Sequence, residues 1–135
     1  MAHILLVEDD EASAIVTSLN LKRRAGYEVT VTRDPAEVLE ACENREVDLV
    51  LMDVSLHGAK LEGKPIDGTG ISRRLKENPK TSSIPIILIT AHAMRSDQER
   101  LLNESQADAY VAKPISDHAK LIALIEEHLS QRAQR

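Results

Sequence analysis

Two kinds of segment alternate along the chain. Short runs of β-branched and aliphatic residues predict strands, and longer stretches with apolar residues three or four positions apart predict helices. The predicted strands are His3 to Val7, Glu28 to Thr32, Leu49 to Met52, Ile86 to Ile89 and Ala109 to Ala112. Because strands and helices alternate, we expect five parallel strands with right-handed crossovers and five helices, a doubly wound α/β fold.

The composition of each strand predicts its place in the sheet. The third and fourth runs are continuously apolar, which is typical of central strands covered by helices on both faces. The second run instead alternates, with Val29 and Val31 on one side, and this pattern favours an edge position.

Local signals predict where the helices begin and end. The first helix is expected from Ala12 to Ala25 and is terminated by Gly26. Asp34 and Pro35 have the residue types of an N-cap and first helical position. The apolar residues of the first helix share one face, which we expect to pack on the core: Ala12, Ile15, Val16 and Leu19.

The second half of the chain is read in the same way. An irregular stretch from Val54 to Thr69 leads into a helix from about Gly70 to Glu77. Ser96 and Glu99 fit a capping box for the next helix. Ser116 is the expected N-cap of the last one.

Composition narrows the class of protein. The 135 residues suit one domain, residues 1–135. A formal charge of −5 and the absence of Trp and Phe argue against nucleic-acid and anionic-membrane partners. The apolar run Ile4 to Val7 is too short for a signal peptide or membrane span, so a cytoplasmic location is expected. Only Ser130 to Arg135 follow the last predicted helix, so no output domain is expected.

Polar residues follow four of the predicted strands. In a doubly wound sheet, ligands bind outside the carboxyl ends of the strands, so these residues are expected to meet at one site. They are Glu8, Asp9 and Asp10 after the first strand, Asp53 after the third, Thr90 after the fourth and Lys113 after the fifth.

This residue set points to phosphoryl chemistry. Clustered carboxylates repel one another unless a cation neutralises them, and an oxygen-rich ligand set without cysteine favours Mg²⁺. Asp53 would attack phosphorus, while Lys113 and Thr90 would stabilise the phosphoryl oxygens. The simpler alternatives are that Asp10 is only a helix N-cap and that Asp53 is a solvated loop residue.

With these residues the sequence resembles the receiver domain of bacterial two-component response regulators. The resemblance spans nearly the whole chain and rests on ILLVEDDE, LVLMDVSL, IPIILITAHAM and AYVAKPIS. The likeness is greatest to single-domain regulators of the cell-cycle and polarity type. It implies a flavodoxin-like sheet with strand order 2-1-3-4-5.

The resemblance also implies roles for individual residues. Asp53 would be the phosphorylation site. Mg²⁺ would be bound by Asp9, Asp53 and the backbone carbonyl of Ser55, with Glu8 acting through water. Lys113 would bind the phosphoryl group and be followed by Pro114, often through a cis peptide bond. Thr90 and Tyr110 would form the conformational switch.

The sequence departs from the family pattern after Asp53. His57 stands where family members usually have a proline, and the loop at about residues 56–68 is lengthened. A tolerated surface insertion is the simplest interpretation of the loop, beside gating or partner recognition. Ser55 and His92 occupy positions that in relatives affect how fast the phosphoryl group is lost.

The expected partners follow from the resemblance. They are a sensor histidine kinase or a histidine phosphotransfer protein as donor, and a protein effector on the face made by the fourth helix, fifth strand and fifth helix.

Two other functions fit the sequence less well. A phosphatase with an aspartyl nucleophile generally has a second aspartate where Ser55 stands, and a flavin-binding protein needs Ser, Thr or Gly in place of EDDE.

Overall fold

Five parallel strands form the centre of the computed structural model, which describes residues 2–91 and 94–133. In chain order the elements are β1 His3–Val7, α1 Glu11–Ala25, β2 Glu28–Thr32, α2 Pro35–Glu43, β3 Leu49–Asp53, β4 Lys60–Leu61, β5 Lys64–Pro65, α3 Gly68–Glu77, β6 Ile86–Thr90, α4 Arg95–Ser105, β7 Ala109–Ala112 and α5 His118–Ala133. The sheet order is β2-β1-β3-β6-β7, which is the predicted order once the short hairpin β4–β5 is set aside. The predicted fold class is therefore confirmed.

The sheet divides the core into two layers because successive side chains of a strand point to opposite faces. One layer packs strand residues such as Leu5 and Met52 against α2, α3 and α4. The other packs Ile4 and Leu51 against α1 and α5. All five residues of β3 and of β6 are buried, whereas β2 lies at the edge, as their sequence patterns predicted.

Helix α1 contradicts the predicted face. Its buried residues are Ala14, Thr17, Ser18 and Leu21. Ile15, Val16 and Leu19 are instead 53%, 51% and 42% exposed. Three of these four side chains are small and let α1 pack closely against α5, whereas the larger side chains of Ile15, Val16 and Leu19 lie on the solvent side. The prediction followed hydrophobicity and missed this requirement for close packing.

The predicted helix starts are partly right. Asp34 caps α2, where its side chain accepts a hydrogen bond from the backbone N–H of Ala36 at 3.1 Å. The capping box was wrong, because α4 begins at Arg95 and its N-cap Met94 makes no side-chain cap bond. Ser116 was also wrong: Asp117 accepts the backbone N–H of Lys120 at 3.0 Å and starts α5 one residue later.

The lengthened loop is more ordered than the predicted irregular stretch. It contains the antiparallel hairpin β4–β5, whose base is closed by a hydrogen bond from the Ile66 N–H to the Ala59 carbonyl at 3.1 Å. Ala59 and Ile66 pack against the core layer of α2 and α3. Asp67 then caps α3 by accepting the N–H of Gly70 at 2.9 Å. The insertion is thus joined to the fold at both ends.

Candidate phosphoacceptor site

The carboxyl ends of β1, β3, β6 and β7 bring the predicted site residues to one edge of the sheet. Asp53 is the last residue of β3 and 2% exposed, and Thr90 is the last residue of β6 and 1% exposed. Glu8 directly follows β1 and is 6% exposed. Lys113 follows β7, and its backbone N–H is bonded to the Thr90 carbonyl at 2.8 Å. Backbone pairing between neighbouring strands therefore holds these residues close together.

Lys113 pairs with two of the carboxylates. Its Nζ lies 2.7 Å from Oδ2 of Asp53 and 3.1 Å from Oε1 of Glu8. Burial alone would lower the pKa of Lys113, but the hydrogen bonds to Asp53 and Glu8 outweigh it, so its pKa is raised. The ammonium group is thereby kept charged beside Asp53.

One lysine does not balance the negative charge of this edge. Oxygens of Glu8, Asp9 and Asp53 all lie within 4.8 Å of one another. Burial, followed by a hydrogen bond to Asp53, raises the pKa of Glu8 from 4.5 to about 7. The pKa of Glu8 shows that a charged carboxylate is costly to bury here even beside Lys113.

The ligand chemistry of this cluster fits a hard divalent cation. The three side chains offer oxygen atoms only, the donor type that Mg²⁺ prefers, and added positive charge would favour the ionised form of Glu8, whose pKa is raised mainly by burial. A cleft of about 270 Å³ opens onto Asp9, Asp53, Ser55 and Lys113 and provides room for a phosphoryl group.

Asp9 is held by two hydrogen bonds from His57 and does not pair with Lys113. Oδ2 of Asp9 accepts hydrogen bonds from the His57 backbone N–H at 2.8 Å and from its ring Nδ1 at 2.9 Å. Burial acts to raise the pKa of Asp9, but the bonds from His57 outweigh it and the pKa is lowered. The sequence marked His57 only as a departure from a family pattern, and nothing in it indicated this pairing.

Gly68 is a second residue that sequence reasoning missed. Its backbone N–H donates to the Val54 carbonyl at 3.0 Å, so the start of α3 lies directly against the end of β3. A Cβ atom at Gly68 would lie 1.9 Å from the backbone oxygen of Asp53. Only glycine permits this close approach beside Asp53.

The remaining predicted residues are placed as follows. Asp10 is the N-cap of α1, as its simpler alternative held, and the Ser55 N–H donates to Oδ1 of Asp53 at 3.0 Å. Tyr110 is 36% exposed on β7. The peptide bond between Lys113 and Pro114 is cis, as the resemblance suggested. His92 lies outside the described residues.

The fold and this edge together define a class of protein, a doubly wound domain with an acidic pocket and a lysine around a buried aspartate. Residues 4–126 match the family model described as the response regulator receiver domain. The chain therefore belongs to the response regulator receiver family. It is a receiver domain of two-component signalling, and its role is that of a signalling module.

Curated relatives and solved structures agree. The polar-differentiation response regulators DivK of Brucella anthropi and Brucella ovis are each 33% identical over 113 residues, covering 84% of this chain and 85% of the relative. A CheY-like receiver domain protein of Methanospirillum hungatei is 26% identical with a TM-score of 0.80, covering 99% of this chain and 98% of the other.

A third structure bears on the metal. The receiver domain of a sensor histidine kinase from Pseudomonas aeruginosa, with a magnesium ion coordinated in its active site cleft, is 29% identical. The TM-score is 0.79, and the match covers 96% of this chain and 98% of that one.

Within residues 2–91 and 94–133, no helix has the length and apolar character needed to cross a membrane.

Proposed function

We propose that Asp53 accepts a phosphoryl group from a phosphohistidine donor. In this reaction the P–N bond of the donor breaks, a bond forms between phosphorus and a carboxylate oxygen of Asp53, and the donor imidazole takes up a proton. The observation that carries the proposal is the Lys113 ammonium group 2.7 Å from a carboxylate that is 2% exposed. Slow hydrolysis of the aspartyl phosphate then resets the protein.

The residues around Asp53 have complementary roles in this proposal. Asp9, Asp53 and the Ser55 carbonyl would hold Mg²⁺, with Glu8 binding through water. When bound, the cation supplies positive charge to the phosphoryl oxygens. Lys113 gives up part of its pairing with Asp53 to neutralise the incoming group, and the Thr90 hydroxyl donates to one of its oxygens.

Mass spectrometry tests the acceptor directly. The protein is incubated with Mg²⁺ and acetyl phosphate, in parallel with Asp53→Asn. We expect a single phosphate-sized mass gain in the wild type and none in the variant, because an amide cannot form the acyl phosphate. Equal labelling of the variant, or no labelling of a wild type that binds Mg²⁺, would contradict the proposal.

A protein donor is favoured by the exposed aliphatic face of α1. Ile15 and Leu19 line a groove of about 560 Å³ that also includes Glu8, Asp9 and, at its rim, Lys22 and Arg33. On the other side of the helix, Val16 lines a second groove with Lys113 and Pro114. Exposed apolar side chains in a continuous patch mark a surface for another protein, and this one lies beside Asp53.

Charge substitutions on α1 separate docking from chemistry. We expect Ile15→Asp combined with Val16→Asp to slow phosphotransfer from a histidine phosphotransfer protein at least tenfold, while acetyl phosphate still labels Asp53 at the wild-type rate. Met94→Asp is a matched control, because Met94 is 68% exposed at the start of α4. If both donors slow equally, the effect is on the site and not on docking.

Phosphorylation would act through a switch that consists of Thr90 and Tyr110. The switch would change the face formed by α4, β7 and α5, where a protein effector would bind. Tyr110 is 36% exposed in this structure, and an inward rotation on phosphorylation would bury it. The protein has only two tyrosines and no tryptophan. In a Tyr27→Phe background, tyrosine fluorescence therefore reports Tyr110 alone.

We expect phosphorylation to change this fluorescence in the Tyr27→Phe protein. In Lys113→Ala the change should be absent even at a level of labelling matched to the wild type, because the phosphoryl group then lacks its link to β7. An unchanged signal in the phosphorylated Tyr27→Phe protein would contradict the switch, and a normal signal in the Lys113 variant would contradict the role of the lysine.

A further inference from the structure

His57 makes an unusual double contact with Asp9. Its backbone N–H and its ring Nδ1 both lie within 2.9 Å of the same oxygen, Oδ2. The Asp9 side chain is 13% exposed, while the His57 ring is 89% exposed. The histidine therefore lies on the solvent side of Asp9, at Oδ2.

The contact divides the two oxygens of Asp9 between different tasks. A carboxylate oxygen has two lone pairs directed at donors, and His57 engages Oδ2 twice. Within residues 2–91 and 94–133, no residue apart from His57 and Asp9 itself donates a hydrogen bond to the Asp9 side chain. Oδ1 is thus the Asp9 oxygen that receives no hydrogen bond from another of these residues.

We propose that His57 is a positioning residue for the metal site: by holding Oδ2 of Asp9, its imidazole turns Oδ1 toward Glu8 and Asp53 and so raises the affinity for Mg²⁺. This inference rests on the proposed function. Groups that hydrogen-bond a metal ligand from outside fix its orientation, and losing one commonly costs about 10–100-fold in metal affinity. An exposed histidine thus acts on the phosphoacceptor site without touching the cation.

Substitutions at position 57 separate the two hydrogen bonds. His57→Ala removes the ring but keeps the backbone N–H. His57→Asn restores a side-chain N–H donor the same number of bonds from the backbone as Nδ1. His57→Pro removes both donors. The expected order of Mg²⁺ affinity is wild type, then Asn within about threefold, then Ala about tenfold weaker, then Pro weakest.

Isothermal titration calorimetry with MgCl₂ measures these affinities directly. All proteins are compared in the same buffer at the same pH. Lys60→Ala is the matched control, because Lys60 is an exposed residue of the same loop with no contact to Asp9. Thermal unfolding without metal checks that each variant is folded. The Asn variant distinguishes positioning from a general effect on structure, since only a restored donor recovers affinity.

The outcomes separate this inference from the proposed function. Weaker binding by Ala and recovery by Asn support it. An Ala variant that binds Mg²⁺ as tightly as the wild type, or more tightly, overturns it, because the ring would then be irrelevant or a competitor of the cation. Failure of the wild type to bind Mg²⁺ would instead remove the metal site of the proposed function, and this inference with it.

Discussion

A lysine pairs with carboxylates at both the amino-terminal and the carboxyl-terminal edge of the sheet, but positive and negative charges are balanced at only one of them. At the amino-terminal edge, the Lys76 side chain is 8% exposed and its Nζ bonds to Asp108 at 2.8 Å and to the carbonyls of Ile84 and Ser82 at 2.8 and 3.2 Å. The same Asp108 oxygen accepts the N–H of Ile86 at 2.8 Å. One cation meets one carboxylate, and every partner is part of the fold.

The carboxyl-terminal edge has one lysine for three carboxylates. Lys113 reaches Asp53 and Glu8, Asp9 depends on His57, and Glu8 has a pKa raised to about 7. A protein does not gain stability from such crowding. The comparison indicates that the ion pair of Lys76 serves the structure, whereas the carboxylates crowded at Asp53 are what the proposed binding of a cation and a phosphoryl group requires.

Removing the lysine of the balanced edge should have the largest effect on stability. We expect Lys76→Ala to lower the free energy of unfolding by about 4 kcal/mol, because Asp108 and two carbonyls lose their shielded partner. Urea denaturation measures the change, and Mg²⁺ should not reverse it. Lys113→Ala is the counterpart, and there Mg²⁺ should restore much of the lost stability. A similar Mg²⁺ response in both variants would remove the distinction between the edges.

The close approach of α3 to Asp53 provides a second test. We expect Gly68→Ala to cost about 3 kcal/mol in unfolding free energy through overpacking and to lower acetyl phosphate labelling more than tenfold, because Asp53 must move. Gly70→Ala is the control, because the Cβ atom added there would lie 2.8 Å from the side chain of Ile66, which can move, and not close to backbone atoms. Equal labelling of the two variants would show that the position of Gly68 does not matter.

The raised pKa of Glu8 predicts a pH effect on the metal-free protein. Native Glu8 holds its proton up to about pH 7, whereas unfolded Glu8 loses it near 4.5, so the native state binds more protons between these values. Stability therefore falls as the pH rises through this window, by at most about 3 kcal/mol. Glu8→Gln should abolish this part of the fall in urea titrations, while Glu28→Gln on edge strand β2 should keep it.

An ion pair that belongs to neither edge should have the smallest effect. Arg74 on α3 lies 2.9 Å from Glu62 in the hairpin, with the two side chains 49% and 70% exposed. We expect Arg74→Ala to change the unfolding free energy by less than about 0.5 kcal/mol, because solvent screens exposed charges. Circular dichroism during urea unfolding measures it. A loss above 1 kcal/mol would mean that the hairpin contributes to folding through this pair.

The sequence alone determined the sheet and the membership of the site. Runs such as Ile86 to Ile89 can be buried on both faces only in a central strand, and a parallel sheet brings all carboxyl ends to one edge. Asp53, Thr90 and Lys113 could therefore be placed together without knowledge of any contact, because backbone pairing fixes their positions.

The tertiary structure decided what depends on side-chain shape and on long-range packing. The buried face of α1 contains small residues such as Ala14, because the helix packs closely against its neighbours. Hydrophobicity alone pointed instead to Ile15 and Val16, which are exposed. The contact between His57 and Asp9 joins residues 48 positions apart across a lengthened loop. No local pattern encodes such a pair, since it depends on the path of the loop relative to the edge of the sheet.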